Sequence, residues 1–244
     1  MIPINDNSRR VSSFQIVTVC LLVLNVGVFL CELSLGAGVD RFISLYGAVP
    51  REILTGRDIP PTGPHPLYLQ LLTSLFIHAG WLHLIGNMIY LCIFGDDIEE
   101  ALGHGRYLLF YLAMGLIASL TQIVLSGPAD TFPIIGASGA VAGVLGAYLI
   151  YFPRRRIQVV IPILFFFTVE VSALLLLGLW FLLQLLNGLA AFQVGASQVG
   201  GVAVWAHIGG FIAGALTASV MQGRTGRSRP APAFGYRGRQ PRVR

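Results

Sequence analysis

The chain has 244 residues, of which 55% are hydrophobic and only 11% are charged, so its composition is unlike that of a soluble domain. Its mean hydropathy is +0.75, and several apolar stretches approach the roughly 20 residues that cross a ~30 Å hydrocarbon core. These features predict an integral membrane protein. The first apolar stretch is long and no clear cleavage site follows it, so we interpret it as a retained span rather than a signal peptide.

The formal net charge of +5 comes from 16 arginines, whose positions indicate membrane topology. Arg9 and Arg10 precede the first apolar stretch, three more occupy residues 154–156, and seven follow Gly223. No aromatic or polar base-reading module accompanies them, so we expect contact with anionic lipid on the cytoplasmic side and no nucleic-acid partner. Both termini are therefore predicted to be cytoplasmic.

Six transmembrane spans are predicted from the apolar runs and their boundaries. They are residues 14–35, 81–95, 107–125, 136–151, 173–188 and 202–221. The predicted fold class is an all-α polytopic membrane protein with a six-helix bundle. Its organisation is a cytoplasmic N-terminal segment (1–13), a membrane domain (14–222) and a disordered, arginine-rich cytoplasmic tail (223–244). With both ends inside, most arginines fall on the cytoplasmic side.

Three connections between the spans have distinctive compositions. Residues 36–80 contain several prolines and an apolar stretch, 67–77, that is too short to cross a bilayer, so we expect a loop that packs on the domain or dips into the interface. Residues 157–171 are expected to lie along or into the inner interface. The outer loop 189–201 is rich in Gly, Ser and Gln and carries no charge.

Polar residues near the outer ends of three separate spans are predicted to share one depth. His83, Ser138 and His207 lie about two, two and five residues into spans two, four and six, which at ~1.5 Å per residue places them within roughly 8 Å of one level. Asn87 follows His83 by four residues and so shares its helix face. The spacing therefore predicts a polar layer formed by residues that are distant in sequence.

Glycines that are expected to pack helices together flank two members of this layer. They are Gly136, Gly139, Gly143, Gly210 and Gly214. The Gly-xxx-Gly spacing in spans four and six allows two backbones to approach closely, so Ser138 and His207 can come within hydrogen-bonding distance. Two alternatives stay open at this point: Ser138 is only a small packing residue, or the polar set is a fixed structural network.

The chemistry available to this layer is that of a serine hydrolase. A serine hydroxyl becomes a nucleophile when a base takes its proton, and a histidine can do so near neutral pH. The oxyanion that follows needs donors, which Asn87, His83 and the Ser138 backbone N–H can supply. No carboxylate lies at this depth, so we predict a dyad of Ser138 and His207. The histidines lack a third ligand, so neither a metal nor another cofactor is expected.

Three motifs together resemble the signature of the rhomboid intramembrane serine proteases, in that family's chain order. They are Gly136-x-Ser138-Gly139, His83-xxx-Asn87 and Ala206-His207-xx-Gly210-xxx-Gly214. The resemblance covers roughly residues 46–214. It implies a rhomboid-like six-helix bundle with a water-filled active site open to the outer face, and the residue roles given above. It also implies cleavage of substrate transmembrane segments near their outer ends.

The chain departs from the family pattern in two places. Many members carry a Trp-Arg pair in the first outer loop, which has no tryptophan here. Some members stack an aromatic residue, four positions after the nucleophile, on the catalytic histidine, whereas this chain has Ala142 there. We therefore expect Trp205 or a water to orient His207. His78 is expected to be a solvated, non-catalytic residue near the outer rim.

The sequence therefore predicts an intramembrane serine endopeptidase in a bacterial plasma membrane, with transmembrane proteins as substrates and the lipid bilayer as its surroundings. The alternative on the same fold is a non-catalytic rhomboid-like protein that binds transmembrane helices for quality control or trafficking, a class marked by loss of the serine or the histidine. A channel or carrier is disfavoured, because it predicts ionisable residues spread through the bilayer depth. Here they gather at one end.

Overall fold

The computed structural model describes residues 2–6, 14–63, 66–160, 167–193 and 202–225. These residues form, in chain order, β1 (Ile2–Asp6), α1 (Ile16–Ser34), α2 (Val39–Tyr46), α3 (Pro50–Thr55), α4 (Gln70–Thr73), α5 (Trp81–Leu102), α6 (His104–Ser126), α7 (Ser138–Tyr151), β2 (Arg156–Val160), β3 (Thr168–Ser172), α8 (Ala173–Gln193) and α9 (Val204–Thr225). The arginine pair at residues 9–10, most of the predicted outer loop 189–201 and the tail from residue 226 lie outside the described residues.

Four described helices, α1, α6, α8 and α9, are long and apolar enough to cross a membrane. A fifth span exists if the helical segment Leu67–Phe76, which is bent by 80° relative to α5, is counted together with α5. The predicted fourth span is the 14-residue helix α7, which at ~1.5 Å per residue is shorter than the hydrocarbon core. The protein is an integral membrane protein with a mostly helical bundle, but the predicted count of six spans is not confirmed.

Helix α7 is short because the rest of the bundle encloses it. Every residue from Gly139 to Tyr148 is buried, and α7 contacts α5, α6, α8 and α9. Since its ends face protein rather than lipid, their unpaired backbone groups need not reach either membrane surface. The helix ends at Tyr151, two residues before Pro153, where the missing N–H of proline prevents continuation.

The closest contact of α7 is with α9, and glycines make it. A Cβ on Gly210 would collide with the Gly139 carbonyl oxygen, and a Cβ on Gly214 would collide with the Gly143 carbonyl oxygen. Gly146, which the sequence analysis did not single out, likewise leaves no room for a Cβ beside the Phe211 carbonyl. Small residues of this kind let two helix backbones touch directly, which is the main route to tight packing in lipid.

Helix α5 continues past the acidic residues that were expected to end the second span. It runs to Leu102, and both Asp97 and Glu99 are buried. Glu99 accepts hydrogen bonds from the Val17 and Thr18 amides at 2.9 and 2.7 Å and from the Thr18 hydroxyl at 2.7 Å. The carboxylate therefore caps the N-terminus of α1, where a negative charge is favoured, and helix α5 extends beyond the predicted end of the second span.

A small antiparallel sheet, in the order β1-β2-β3, adds strands to the expected all-α fold. Residues 157–171 were expected to lie along the inner interface, but their described parts pair as strands, with Arg156 opposite Ser172. The residues Ile157 and Val159 alternate with less buried neighbours, as in a strand with one covered face. Beside the sheet, the Arg155 guanidinium forms ion pairs with Asp6 and Asp97, which ties the N-terminal strand to the segment between α7 and α8.

The long connection 36–80 packs on the domain, as expected. Ala48 and Ile134 exchange two backbone hydrogen bonds of 3.0 and 2.9 Å, which join the connection to the loop before α7. The buried Gln70 amide donates to the Glu52 carboxylate at 2.5 Å. These contacts hold the connection over the end of the bundle at which α5, α7 and α9 begin.

We predict that Gly146→Ala destabilises the bundle by about 1–3 kcal/mol, the usual cost of overpacking a tight contact. The added methyl group meets the Phe211 carbonyl and lies 3.0 Å from the Ala215 nitrogen. The control is Gly178→Ala on α8, where a Cβ meets nothing within 4 Å. Thermal unfolding in detergent should separate the two variants, and equal melting temperatures would contradict the assignment of Gly146 to the α7–α9 contact.

Candidate active site

One cavity of about 770 Å³ lies between the beginnings of α5, α7 and α9. The four polar residues singled out from the sequence all line it. They are His83, Asn87, Ser138 and His207. The rest of the lining is mostly apolar and includes Leu145 and Trp180. A large apolar cavity with a few convergent polar groups is the usual form of a substrate site.

Ser138 is the first residue of α7. The first N–H groups of a helix have no intrahelical partner and carry the positive end of the helix dipole. The Ser138 hydroxyl and its own backbone N–H therefore lie together at a place that favours negative charge. Ser138 is half-buried, whereas the next ten residues of α7 are buried, so the cavity exposes only the start of the helix.

Gly136 makes room for the His83 imidazole instead of packing two helices. A Cβ at this position would lie 2.6 Å from both Cε1 and Nε2 of His83. Its φ of +109° is also in the region that favours glycine. The sequence analysis grouped Gly136 with the helix-packing glycines because of its neighbours in the motif, but it precedes α7 and its N–H donates to the Ser74 carbonyl at 2.8 Å.

Hydrogen bonds determine which ring nitrogens of His83 and His78 are donors. The Ala79 N–H donates to His83 Nδ1 at 3.4 Å, so the proton of a neutral His83 lies on Nε2, which points toward Gly136 and the cavity. His78 Nδ1–H donates to the Phe76 carbonyl at 3.2 Å, and its Nε2 accepts from the Asn87 amide nitrogen at 3.0 Å. The contact with Ala79 leaves the His83 Nε2–H as a donor. The contact with His78 fixes the orientation of the Asn87 amide.

His78 is buried, with 1% of its surface exposed, so its expected solvated position is wrong. Its backbone N–H donates to the Glu32 carboxylate at 3.2 and 3.3 Å, which anchors it to α1. Its ring lies 5.0 Å from that of His83. His78 therefore acts behind the cavity wall, where it holds Asn87 in place.

His207 is oriented by α8 and not by Trp205. Its Nδ1–H donates to Gln184 Oε1 at 3.1 Å, and its ring lies 5.8 Å from the Trp180 ring at an angle of 36°. Trp205 lies beside Gly188 instead. Helix α8 thus supplies the aromatic neighbour that Ala142 cannot. The sequence held a signal for this, because Trp180 and Gln184 are four residues apart on one face of the predicted fifth span.

The beginning of α9 is held by a buried glutamine that the sequence analysis missed. Gln122 Oε1 on α6 accepts hydrogen bonds from the backbone N–H groups of Trp205 and Ala206 at 3.0 and 3.2 Å. A side-chain acceptor here satisfies the Trp205 N–H, which a helix start leaves unpaired, and shares the Ala206 N–H with the Ala203 carbonyl. Its signal in the sequence is a large amide side chain within the third span, which carries no charged residue.

The proposed nucleophile and base share the cavity without a hydrogen bond between them among the described residues. The described hydrogen-bond partner of the His207 ring is Gln184. Hydrogen bonds between catalytic groups are often long in an empty site and shorten when substrate binds. The Ser138–His207 hydrogen bond therefore stays a prediction.

The family of the chain can be determined from a comparison with known proteins. Residues 66–224, well over half of the chain, match the family model of the rhomboid domain. The chain belongs to the rhomboid family. The match covers α4 to α9 and therefore all four polar residues that line the cavity.

Individual rhomboid relatives are similar over shorter stretches. The chain is 33% identical to rhomboid protease GluP of Bacillus subtilis (strain 168) over 121 residues, which are 50% of this chain and 21% of GluP. It is 42% identical to rhomboid-like protein 11, chloroplastic, of Arabidopsis thaliana over 79 residues, 32% of this chain and 27% of that protein. The presenilin-associated rhomboid-like protein, mitochondrial, of Bos taurus is 31% identical over 99 residues, 40% of this chain and 26% of that protein. The chain thus spans only about a quarter of the length of these relatives.

The described part of this rhomboid chain contains no group of three or more His, Cys, Asp or Glu side chains that could hold a metal ion. The nearby carboxylates have other roles, since Glu32 binds the His78 backbone and Glu52 binds Gln70.

We predict that Gln122→Leu lowers the free energy of unfolding by about 1–3 kcal/mol, because it leaves the Trp205 N–H without an acceptor and removes one of the two acceptors of the Ala206 N–H. Gln122→Glu keeps an acceptor at the same place and should lower the free energy of unfolding by less. Gln193→Leu, at an exposed position at the end of α8, is the control for the loss of a polar side chain. Thermal unfolding in detergent measures all three, and a stable Gln122→Leu variant would show that α9 does not need this cap.

Proposed function

We propose that the chain is an intramembrane serine endopeptidase that cleaves transmembrane segments of other proteins near their outer ends. The observation that carries the proposal is the cavity in which Ser138, His207, His83 and Asn87 meet from three different helices. Membership in the rhomboid family and the resemblance to GluP, which is named a protease, support it. No other described cavity group offers a nucleophile beside a histidine.

In the first step the Ser138 Oγ attacks the scissile carbonyl carbon while the His207 Nε2 takes the hydroxyl proton. The tetrahedral intermediate then collapses, the C–N bond breaks, and His207 gives the proton to the leaving amine. A water activated by the same histidine attacks the acyl-enzyme and releases the second product. His207 can act in this way because its Nδ1 proton is already engaged by Gln184.

The developing oxyanion finds donors on the other side of the cavity. His83 presents Nε2–H, since its Nδ1 accepts from the Ala79 amide. Asn87 has one amide N–H in contact with His78 and a second one free to donate. The Ser138 backbone N–H at the start of α7 is a third donor. Donors placed in advance around a growing negative charge commonly supply the largest single part of catalysis.

The substrate must arrive as an extended segment. In a transmembrane helix each carbonyl is hydrogen bonded within the helix and surrounded by side chains, so Ser138 cannot reach its carbon. Small or helix-breaking residues reduce the cost of local unwinding. The polar lining of the cavity admits the water needed for hydrolysis, and the arginine distribution supports a cavity that opens toward the outer face of the membrane.

We predict that wild-type protein in liposomes cuts a single-span reporter near its outer end, and that Ser138→Ala and His207→Ala each abolish cutting. The reason is that the hydroxyl and its base act as one unit. Ser119→Ala, which removes a buried hydroxyl from α6 outside the cavity lining, is the control and should keep wild-type activity. Mass spectrometry of the products locates the cut.

The other outcomes of this experiment have distinct meanings. Cutting that survives Ser138→Ala would falsify the proposed mechanism. No cutting by folded wild-type protein, over several reporters, together with saturable binding of the reporter would identify the chain as a non-catalytic binder of transmembrane helices.

We predict that Asn87→Ala lowers kcat by about 10²–10³-fold with little change in KM, because an oxyanion donor acts mainly in the transition state. The matched control is Asn187→Ala on the exposed face of α8, which should leave kcat unchanged. Steady-state cleavage of the reporter gives both constants. A rise in KM with constant kcat would instead assign Asn87 to ground-state substrate binding.

A further inference from the structure

A polar side chain on α8 lies directly behind the imidazole of the proposed base. Gln184 Oε1 accepts the Nδ1–H of His207 at 3.1 Å, and no carboxylate is among the described groups that bond to this ring. One turn earlier on the same helix, the Trp180 ring lies 5.8 Å from the imidazole. His207 itself is only 9% exposed. Helix α8 therefore contacts the imidazole in two ways: Gln184 bonds to its Nδ1, and the Trp180 ring lies beside it.

The hydrogen bond from Nδ1 to Gln184 determines whether the imidazole can accept a proton from Ser138. A neutral imidazole carries its proton on one nitrogen, and the hydrogen bond made by that nitrogen selects the tautomer. With the proton on Nδ1, the Nε2 lone pair is free to accept the Ser138 proton. The other tautomer would present an N–H to the serine and could not act as its base.

A glutamine suits this place better than a carboxylate would when the site is empty. An ionised carboxylate among apolar side chains is costly unless it is fully paired. The Gln184 amide supplies the same kind of acceptor oxygen without a charge. The imidazole can therefore be held in one tautomer and one orientation before any substrate has entered the cavity.

We propose that Gln184 is a positioning residue that fixes the tautomer and orientation of His207 through its Oε1, so that a Ser-His pair works without a third catalytic carboxylate. The inference rests on the proposed function. Gln184 does not reach the reacting atoms and acts only through His207. Trp180 assists by restricting the rotation of the ring from one side.

The test compares substitutions at Gln184 that keep or remove an acceptor at the same distance. Gln184→Met has nearly the same length and no amide oxygen, and we expect kcat for reporter cleavage to fall about 10²-fold, as for other small misplacements of catalytic groups. KM should stay within threefold of wild type. Gln184→Glu keeps an acceptor oxygen and should retain kcat within tenfold of wild type. Gln184→Asn moves its oxygen about one bond length away and should behave like Gln184→Met.

Two controls separate this inference from the proposed function and from misfolding. Gln193→Met makes the same chemical change at an exposed position of α8 and should keep wild-type kcat. Melting temperatures of the Gln184 variants should stay close to that of wild type. If a Gln184→Met variant does not fold, the Gln184→Asn and Gln184→Glu pair still makes the comparison.

The outcomes are distinguishable. Equal kcat values for Gln184→Met and wild type, while Ser138→Ala and His207→Ala are inactive, would overturn the positioning role and leave the protease intact. An equal loss in Gln184→Met and Gln184→Glu would also overturn it, because Gln184→Glu keeps the acceptor oxygen that Gln184→Met lacks. Full activity of Ser138→Ala would instead remove the proposed function itself.

Discussion

The direct backbone contact between α7 and α9 is the constraint on which the candidate site depends. In lipid no hydrophobic force draws two helices together, so close packing requires small residues. Gly210 and Gly214 sit against carbonyl groups of α7, and Gly146 sits against a carbonyl group of α9. Ser138 begins α7 and His207 lies in the first turn of α9. Packing therefore brings the proposed nucleophile and the proposed base to one cavity although they are far apart in sequence.

Several polar groups inside the bundle are paired with one another, and these contacts also fix the positions of helix ends and side chains. Gln122 holds the start of α9, Glu99 holds the start of α1, and His78 holds the Asn87 amide. Each acceptor satisfies a group that would otherwise be costly to bury. The Gln122 contact also fixes the start of α9, on which His207 lies, and the His78 contact fixes the Asn87 amide on α5. These two contacts therefore satisfy buried polar groups and position candidate site residues at the same time.

A common layer for His83, Ser138 and His207 could be predicted, because the depth of a residue depends on helix rise and on which end of each span faces outward. Other features could not, because they depend on partners far away in sequence. Hydropathy places Glu99 beyond the end of a span, because it does not include the hydrogen bond that Thr18 donates to the carboxylate. The pairing of β1 with β2 joins segments about 150 residues apart, and neither segment is distinctive alone. The contact between Gln184 and His207 likewise depends on how two helices pack, which hydropathy does not show.

The two members of the proposed dyad are held in different ways, and this difference bears on how such a site can be controlled. Ser138 belongs to α7, which is enclosed on all sides by protein. The orientation of His207 depends also on α8, the least enclosed of the four long apolar helices. On the proposed mechanism, a movement of α8 away from α9 would leave Ser138 in place but would remove the contact that orients His207. Activation of the serine would then depend on the position of a helix at the periphery of the bundle.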